Sequence, residues 1–266
     1  MNRSLLNTAC ASLVLACTST HVSAASSEWV GAEGGAVRMV AEPASHNGKL
    51  RAALEIRLEP GWKTYWRDPG ESGIPPMIDV ATAEGPASVE IGYPAPERFN
   101  DGYSTWVGYD GPVSLALIID VPAGARKLTA SVLVGICETI CIPLQADLAL
   151  DLGDDTTGQA EAHLVDAAFA ALPRSAGPSF EASLSDVSET RIVVDTRAPS
   201  TQDLSLFVAS SGDWLFGTPT PLGNGNSTAF EVPVFAAPDA PSAPQLIHYL
   251  LAAGGDAVAG TFEITR

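Results

Sequence analysis

Cysteine is the scarcest informative residue in this sequence. Of four in 266 residues, Cys10 and Cys17 fall in an N-terminal stretch with the plan of an export signal, so Cys137 and Cys141 are the pair left beyond it. A framework of many disulfides is excluded, and a chain of this length with 46% hydrophobic residues can bury a core without a staple. Basic residues are few as well: 14 Lys and Arg stand against 31 Asp and Glu, a formal net charge of −17. Loss of Arg3, the one charged residue of the signal, makes the remainder one charge more negative. Such a surface argues against nucleic acid and anionic membrane as partners, because both favour basic proteins. Past the signal no run approaches the roughly 18 uninterrupted apolar residues that suggest a membrane span, so no transmembrane span is expected in the mature chain. There is no Gly-x-Ser-x-Gly motif and no histidine cluster, which leaves hydrolase chemistry without support.

The N-terminal stretch, residues 1–24, reads as a signal peptide. Arg3 supplies its positive end, Leu5 to Cys17 its apolar middle, and Val22-Ser23-Ala24 a small-residue cleavage site. The expected mature start is Ala25, in an oxidising compartment. A competing reading takes Leu13-Val-Leu-Ala-Cys17 as a lipobox, with Cys17 the acylated first residue of an anchored lipoprotein.

Glu138-Thr139-Ile140 separates the two remaining cysteines. On either side the residues alternate. Val132, Val134 and Ile136 share one face of a strand over 129–136, and Leu144, Ala146, Leu148 and Leu150 share one face of a strand over 142–152. A three-residue connection makes this a tight hairpin, with the cysteines on its two arms beside the turn. Facing residues in such a pair have Cα atoms about 4.5–5.5 Å apart, which overlaps the range of a disulfide. The bridge can therefore close and open with little backbone movement. It has two readings. A staple is common in exported proteins, yet closing so short a loop removes little chain entropy. An exchanging pair needs a thiolate, and no Lys, Arg or His is close to either cysteine in sequence, while Glu138 disfavours ionisation. Such a thiol is expected to be a slow, selective nucleophile activated by its partner.

Residues 25–153 read as one domain of short strands. Ala52 to Leu58 alternates, Pro60-Gly61 turns, and Gly111-Pro112 precedes a strand over 113–121 closed by Pro122. Strands at this spacing, without a helical period, suggest an antiparallel sandwich. Residues 154–178 are expected to hold an interdomain helix and a linker. Thr157 caps the helix, Glu161 lies near its positive end, Leu164, Val165, Ala168, Phe169 and Leu172 form its apolar stripe, and Pro173 stops it. Strand patterns return over 179–266, at 191–195, 204–208, 230–234, 245–251 and 261–264. They predict a second, smaller β-sandwich without a catalytic motif, in which His248 sits on a strand face with no chemical role.

Two aromatic stretches lie between the first strands and the cysteine hairpin. Gly61-Trp-Lys-Thr-Tyr-Trp-Arg-Asp-Pro-Gly70 holds Trp62, Tyr65 and Trp66, and the stretch from Phe99 to Tyr109 adds Phe99, Tyr103, Trp106 and Tyr109. Trp62, Trp66 and Tyr109 are expected in the core. Asp101-Gly102 places Tyr103 in a loop. The first stretch, extended through Glu71-Ser-Gly73, is followed by Tyr93-Pro-Ala-Pro-Glu-Arg98, Gly108-Tyr-Asp-Gly-Pro-Val113 and Cys137-Glu-Thr-Ile-Cys-Ile-Pro143. These four ordered motifs closely resemble the periplasmic N-terminal domain of the thiol:disulfide interchange protein DsbD, in the branch that includes the suppressor-of-copper-sensitivity protein ScsB. The resemblance covers roughly residues 28–153 and, more loosely, the second domain.

In that family an immunoglobulin-like domain takes electrons from a membrane-embedded partner domain and passes them to periplasmic thioredoxin-like proteins. The resemblance implies a mainly β fold of two tandem immunoglobulin-like β-sandwich domains joined by a short helix, in the periplasm. It implies Cys137 and Cys141 as the catalytic redox pair, with Cys141 the sulfur that attacks or is attacked in the mixed disulfide. It also implies a cap loop over the pair, with Phe99, Asp101, Tyr103 and Trp106, in which Tyr103 is the lid aromatic. No cofactor and no metal are expected for this chemistry.

Two departures from the DsbD pattern matter. Only three residues separate the cysteines, and neither a membrane domain nor a C-terminal thioredoxin-like domain precedes Arg266. The expected electron donor is therefore a separate membrane electron-transfer protein of the DsbD/CcdA type, the expected acceptors are thioredoxin-like periplasmic proteins, and the chain is one component of a protein-disulfide reductase. Two other readings stay open. A copper-binding or copper-tolerance module would use soft thiolates for Cu(I), although Met39, Met77 and three histidines are the other candidate ligands and none is spaced near the pair. A structural adaptor would keep its disulfide closed.

Overall fold

Alternation of apolar and polar residues builds almost every element of the chain. The computed structural model describes residues 25–42, 47–70, 73–100, 102, 105–152, 159–210, 212–223, 228–238 and 244–264. The signal, Cys17, Asp101, Tyr103 and the Thr157 cap lie outside the described residues. In chain order come β1 (Val30–Ala32), β2 (Gly35–Ala41), β3 (Lys49–Leu58), β4 (Lys63–Gly70), β5 (Met77–Thr82), β6 (Gly85–Ala87), β7 (Val89–Gly92), β8 (Glu97–Asn100), β9 (Thr105–Tyr109), β10 (Val113–Asp120), β11 (Lys127–Cys137) and β12 (Cys141–Asp151). Helix α1 (Gln159–Ala170) follows, then β13 (Arg174–Ser175), β14 (Glu181–Val187), β15 (Arg191–Arg197), β16 (Ser205–Val208), β17 (Leu215–Phe216), β18 (Thr220–Pro221), β19 (Ala229–Ala236), β20 (Gln245–Ala253) and β21 (Asp256–Ile264). The fold is mainly β.

The N-terminal strands form two sheets. One has the order β1-β2-β3-β10-β7; the other runs β6-β5-β11-β4-β9-β8, with β12 also paired to β11. Leu50, Leu54 and Ile56 of β3 and Leu115, Leu117 and Ile119 of β10 share one core with Leu128, Val132, Val134 and Ile136 of β11 and Leu144 and Leu148 of β12. Each set takes every second residue of its strand, so each sheet turns one apolar face to the core. The C-terminal strands form two more sheets, β13-β21-β20-β16 and β14-β15-β19-β17, with β18 on β19. Ile192, Val194, Leu206, Trp214, Phe230, Val232, Ile247 and Ile264 are buried in their shared core.

The apolar stripe expected on α1 is present, but it covers a surface that the sequence did not reveal. Val165 and Ala168, flanked by half-buried Leu164, Phe169 and Leu172, pack on Val40, Ala53 and Ala116. These three belong to the outward-facing set of β2, β3 and β10, so the first sheet is apolar on both sides here and needs a cover. Arg51 completes the contact: its guanidinium lies 4.2 Å from the centre of the Phe169 ring and donates to Asp166 at 3.1 Å. The helix is thus attached to the N-terminal sheets.

Candidate functional site

The β11–β12 ladder runs in unbroken register from Lys127↔Asp151 to Cys137↔Cys141. At its tip the cysteines are bridged, with Cα atoms 4.1 Å apart. A hydrogen bond from the Glu138 N–H to the Ile140 carbonyl closes the turn at 3.2 Å. The two sulfurs meet different surroundings. Cys137 is only 8% exposed, whereas Cys141 is exposed and its neighbour Ile140 is 69% exposed.

Burial of Cys137 comes from β4, which pairs with the end of β11 as Ile136↔Thr64 and Cys137↔Lys63. The buried Thr64 hydroxyl donates to the Gly135 carbonyl at 2.9 Å and pins this register. Alternation along β4 then puts Lys63 and Tyr65 on the side of the sheet that Cys137 uses. The Tyr65 oxygen lies 2.8 Å from the Cys137 Sγ and 3.1 Å from the Cys141 Sγ. A disulfide carries no proton, so the phenol donates to it. Tyr65 in turn meets the Trp106 ring edge-on at 5.7 Å, and Trp106 stacks on Phe99 at 4.2 Å. Two glycines make room for this arrangement. A Cβ on Gly73, whose φ is +136°, would stand 2.5 Å from the Tyr65 ring, and one on Gly108 would stand 2.0 Å from the Thr64 carbonyl oxygen.

The expectation of a cap loop from Phe99 to Trp106 needs correcting in part. Phe99 lies in β8 and Trp106 in β9, and the two face each other in register, so these rings stand on strands at the base of the connection. The absence of a nearby cation also holds only along the sequence. Lys63 faces Cys137 across the ladder, and its Nζ lies 5.1 Å from the Trp106 ring centre and 5.9 Å from that of Phe99. Tyr65 is the site residue that sequence reasoning passed over. It stood in the aromatic run, but only the β4–β11 register brings it to the sulfurs.

Trp62 and Trp66 are buried in the N-terminal core as expected. Tyr109 is half-buried, donates to the Pro94 carbonyl at 2.9 Å, and burial pushes its pKa far up. His248 lines a cleft between the N-terminal and C-terminal sheets with Arg67, Tyr93 and Tyr249. Partial burial, and then the Arg67 charge, lower its pKa. Among the described residues no group of three or more His, Cys, Asp or Glu is placed to hold a metal ion, and no helix is long and apolar enough to cross a membrane.

The sequence over residues 36–152 matches the family model described as "Thiol:disulfide interchange protein DsbD, N-terminal". Over this region the chain is similar to a DsbD N-terminal domain. It contains the cysteine hairpin, Tyr65 and the Phe99–Trp106 stack. Among solved structures, the N-terminal periplasmic domain of ScsB from Proteus mirabilis shares the fold, with a TM-score of 0.73 at 21% identity over 92% of this chain and 100% of that one. Its match extends beyond the DsbD N-terminal domain to the C-terminal sheets. A conserved domain protein from Bacillus anthracis aligns over 89% of each chain at 10% identity, but its TM-score of 0.21 carries no structural likeness. No curated protein matches.

Proposed function

We propose that this chain is a periplasmic thiol–disulfide exchange protein, built of two tandem immunoglobulin-like domains, that carries reducing equivalents from a membrane electron-transfer protein of the DsbD/CcdA type to thioredoxin-like proteins. The observation that carries the reading is the unequal pair at the hairpin tip. One sulfur is open to a partner, the other is sheltered, and one phenol touches both. In the reduced protein the Cys141 thiolate attacks a disulfide sulfur of the acceptor and expels the acceptor's other sulfur as a thiolate. Cys137 then loses its proton and attacks the Cys141 Sγ, which breaks the mixed disulfide and releases the second acceptor thiolate. The chain ends as the Cys137–Cys141 disulfide, and the acceptor has gained two electrons and two protons. The donor reverses the same steps. Tyr65 stabilises whichever sulfur carries negative charge, because a hydrogen bond to a charged acceptor is stronger than one to a neutral acceptor. Lys63 adds a positive charge beside the ring cluster, which favours the thiolate. Phe99 and Trp106 limit access to Cys137.

In this reading the N-terminal domain includes α1, because the helix is packed on its first sheet, and the boundary falls just after Leu172. Residues 1–24 act as the export signal, so the intact mass of the exported protein should correspond to a start at Ala25; a lipid-modified chain beginning at Cys17 would replace a free periplasmic protein with an anchored one. The decisive experiment is equilibration of the purified protein with glutathione buffers. Stable structural disulfides lie below about −300 mV. The Cys137–Cys141 couple is expected above that value, and a potential well below it would leave a closed structural bridge.

A further inference from the structure

Two of the three strands that carry the site's rings, β4 and β8, touch the C-terminal sheets with their alternate residues. On β4, Tyr65 faces the sulfurs, while the next residue, Trp66, meets Phe207 edge-on with ring centres 6.0 Å apart. Two positions further on, the Asp68 carboxylate accepts the Ser210 N–H at 2.6 Å. On β8, Phe99 stacks on Trp106, while the preceding residue, Arg98, donates to the Leu206 carbonyl at 2.9 Å and lies 4.9 Å from the Phe207 ring centre. All four contacts converge on residues 206–210. Neighbouring residues of a strand point to opposite faces, so a grip on Trp66 and Arg98 fixes the directions in which Tyr65 and Phe99 leave the backbone.

Arg98 is an expensive way to make such a contact. Burial lowers its pKa, and its Nε has no hydrogen-bond partner among the described residues. A half-buried charge held by one carbonyl and one ring contributes little net stability. What it does supply is a fixed orientation for β8.

We infer that residues 206–210 are a positioning element for the redox site, in which Arg98 and Phe207 hold Phe99, and through it Trp106 and Tyr65, against the Cys137 sulfur. The mechanistic importance of this rests on the exchange reading, but the contact can be measured without it. The full-length protein carrying Cys141→Ser leaves Cys137 as the single thiol beyond the signal, and its alkylation by iodoacetamide reports how well the rings shelter it. Adding Phe207→Ala or Arg98→Gln is expected to speed alkylation roughly fivefold, the equivalent of about 1 kcal/mol of lost aromatic packing, while thermal unfolding stays cooperative. Phe207→Tyr, which keeps a ring, should restore the slow rate. Arg51→Gln, at the α1 contact on the opposite sheet, should leave it unchanged. If Phe207→Ala does not fold, Asp68→Ala tests the same grip from β4. Unchanged rates in the folded variants, or an equal rise with Arg51→Gln, would overturn the inference. The exchange reading fails on a different measurement, the potential of the unmodified couple.

Discussion

The hairpins β11–β12 and β20–β21 are both long antiparallel ladders paired without a slip, and each sends alternate residues into its own core. They differ at the tip. β20–β21 turns through Gly254-Gly255, both at positive φ, and its last pair is Ala253↔Asp256. β11–β12 turns through Glu138-Thr139-Ile140 between two cysteines, and β4 reaches its end to lay a tyrosine on both sulfurs. The lesson is that a tight turn does not make a site. A third strand reaches both ends, with β16 pairing Ser205 to Ala252 at one and β4 pairing Lys63 to Cys137 at the other, but only β4 lays a ring on a bridged pair of cysteines, sheltering one arm and leaving the other open.

The comparison can be broken hardest from the C-terminal side. Trp214 is 1% exposed in the core that carries no cysteine. Trp214→Ala is expected to cost about 3–5 kcal/mol and, by differential scanning calorimetry, to lower the unfolding of the C-terminal sheets ahead of the N-terminal ones. A single shared transition would show that the two regions are one cooperative unit. Next in size is Gly108→Ala, which drives a methyl group into the Thr64 carbonyl. A loss of about 3 kcal/mol, seen in urea unfolding, should accompany loosening of β9 from β4 and faster alkylation of Cys137.

Tyr65→Phe sharpens the contrast between the two tips. It removes only the oxygen that touches both sulfurs, so the fold should persist while exchange with glutathione at neutral pH slows roughly tenfold, the equivalent of about 1.4 kcal/mol for a hydrogen bond to a thiolate. An unchanged rate would reduce Tyr65 to packing. The smallest effect is expected at Ile140, which extends into solvent. Ile140→Ser should change the melting free energy by less than about 0.5 kcal/mol, in contrast to any substitution one turn into the ladder.

Much of this was legible in the sequence, for identifiable reasons. Strict alternation over Val132–Ile136 and Leu144–Leu150 set both arms of the cysteine hairpin, and the three-residue spacer set their register. The stripe on α1 was visible because its 3.6-residue period is distinct from that of the strands. The surface it covers was not, because Val40, Ala53 and Ala116 fill the gaps in alternating strands and read as unremarkable small residues. β4 was obscured in a similar way. Lys63, Arg67, Asp68 and Pro69 interrupt its pattern, so the run of aromatics looked like a motif of uncertain geometry. Register between strands distant in sequence then brought Lys63 and Tyr65 to Cys137, and packing between sheets brought Arg98 to Leu206.

The central claim is that the open sulfur exchanges and the sheltered one resolves. It is tested most directly by incubating the Cys137→Ser and Cys141→Ser variants, each reduced, with an oxidised thioredoxin-like protein and resolving the products on a non-reducing gel. The account predicts a stable mixed disulfide through Cys141 in the first variant and little or none through Cys137 in the second. Equal trapping by both, or trapping through Cys137 alone, would contradict it.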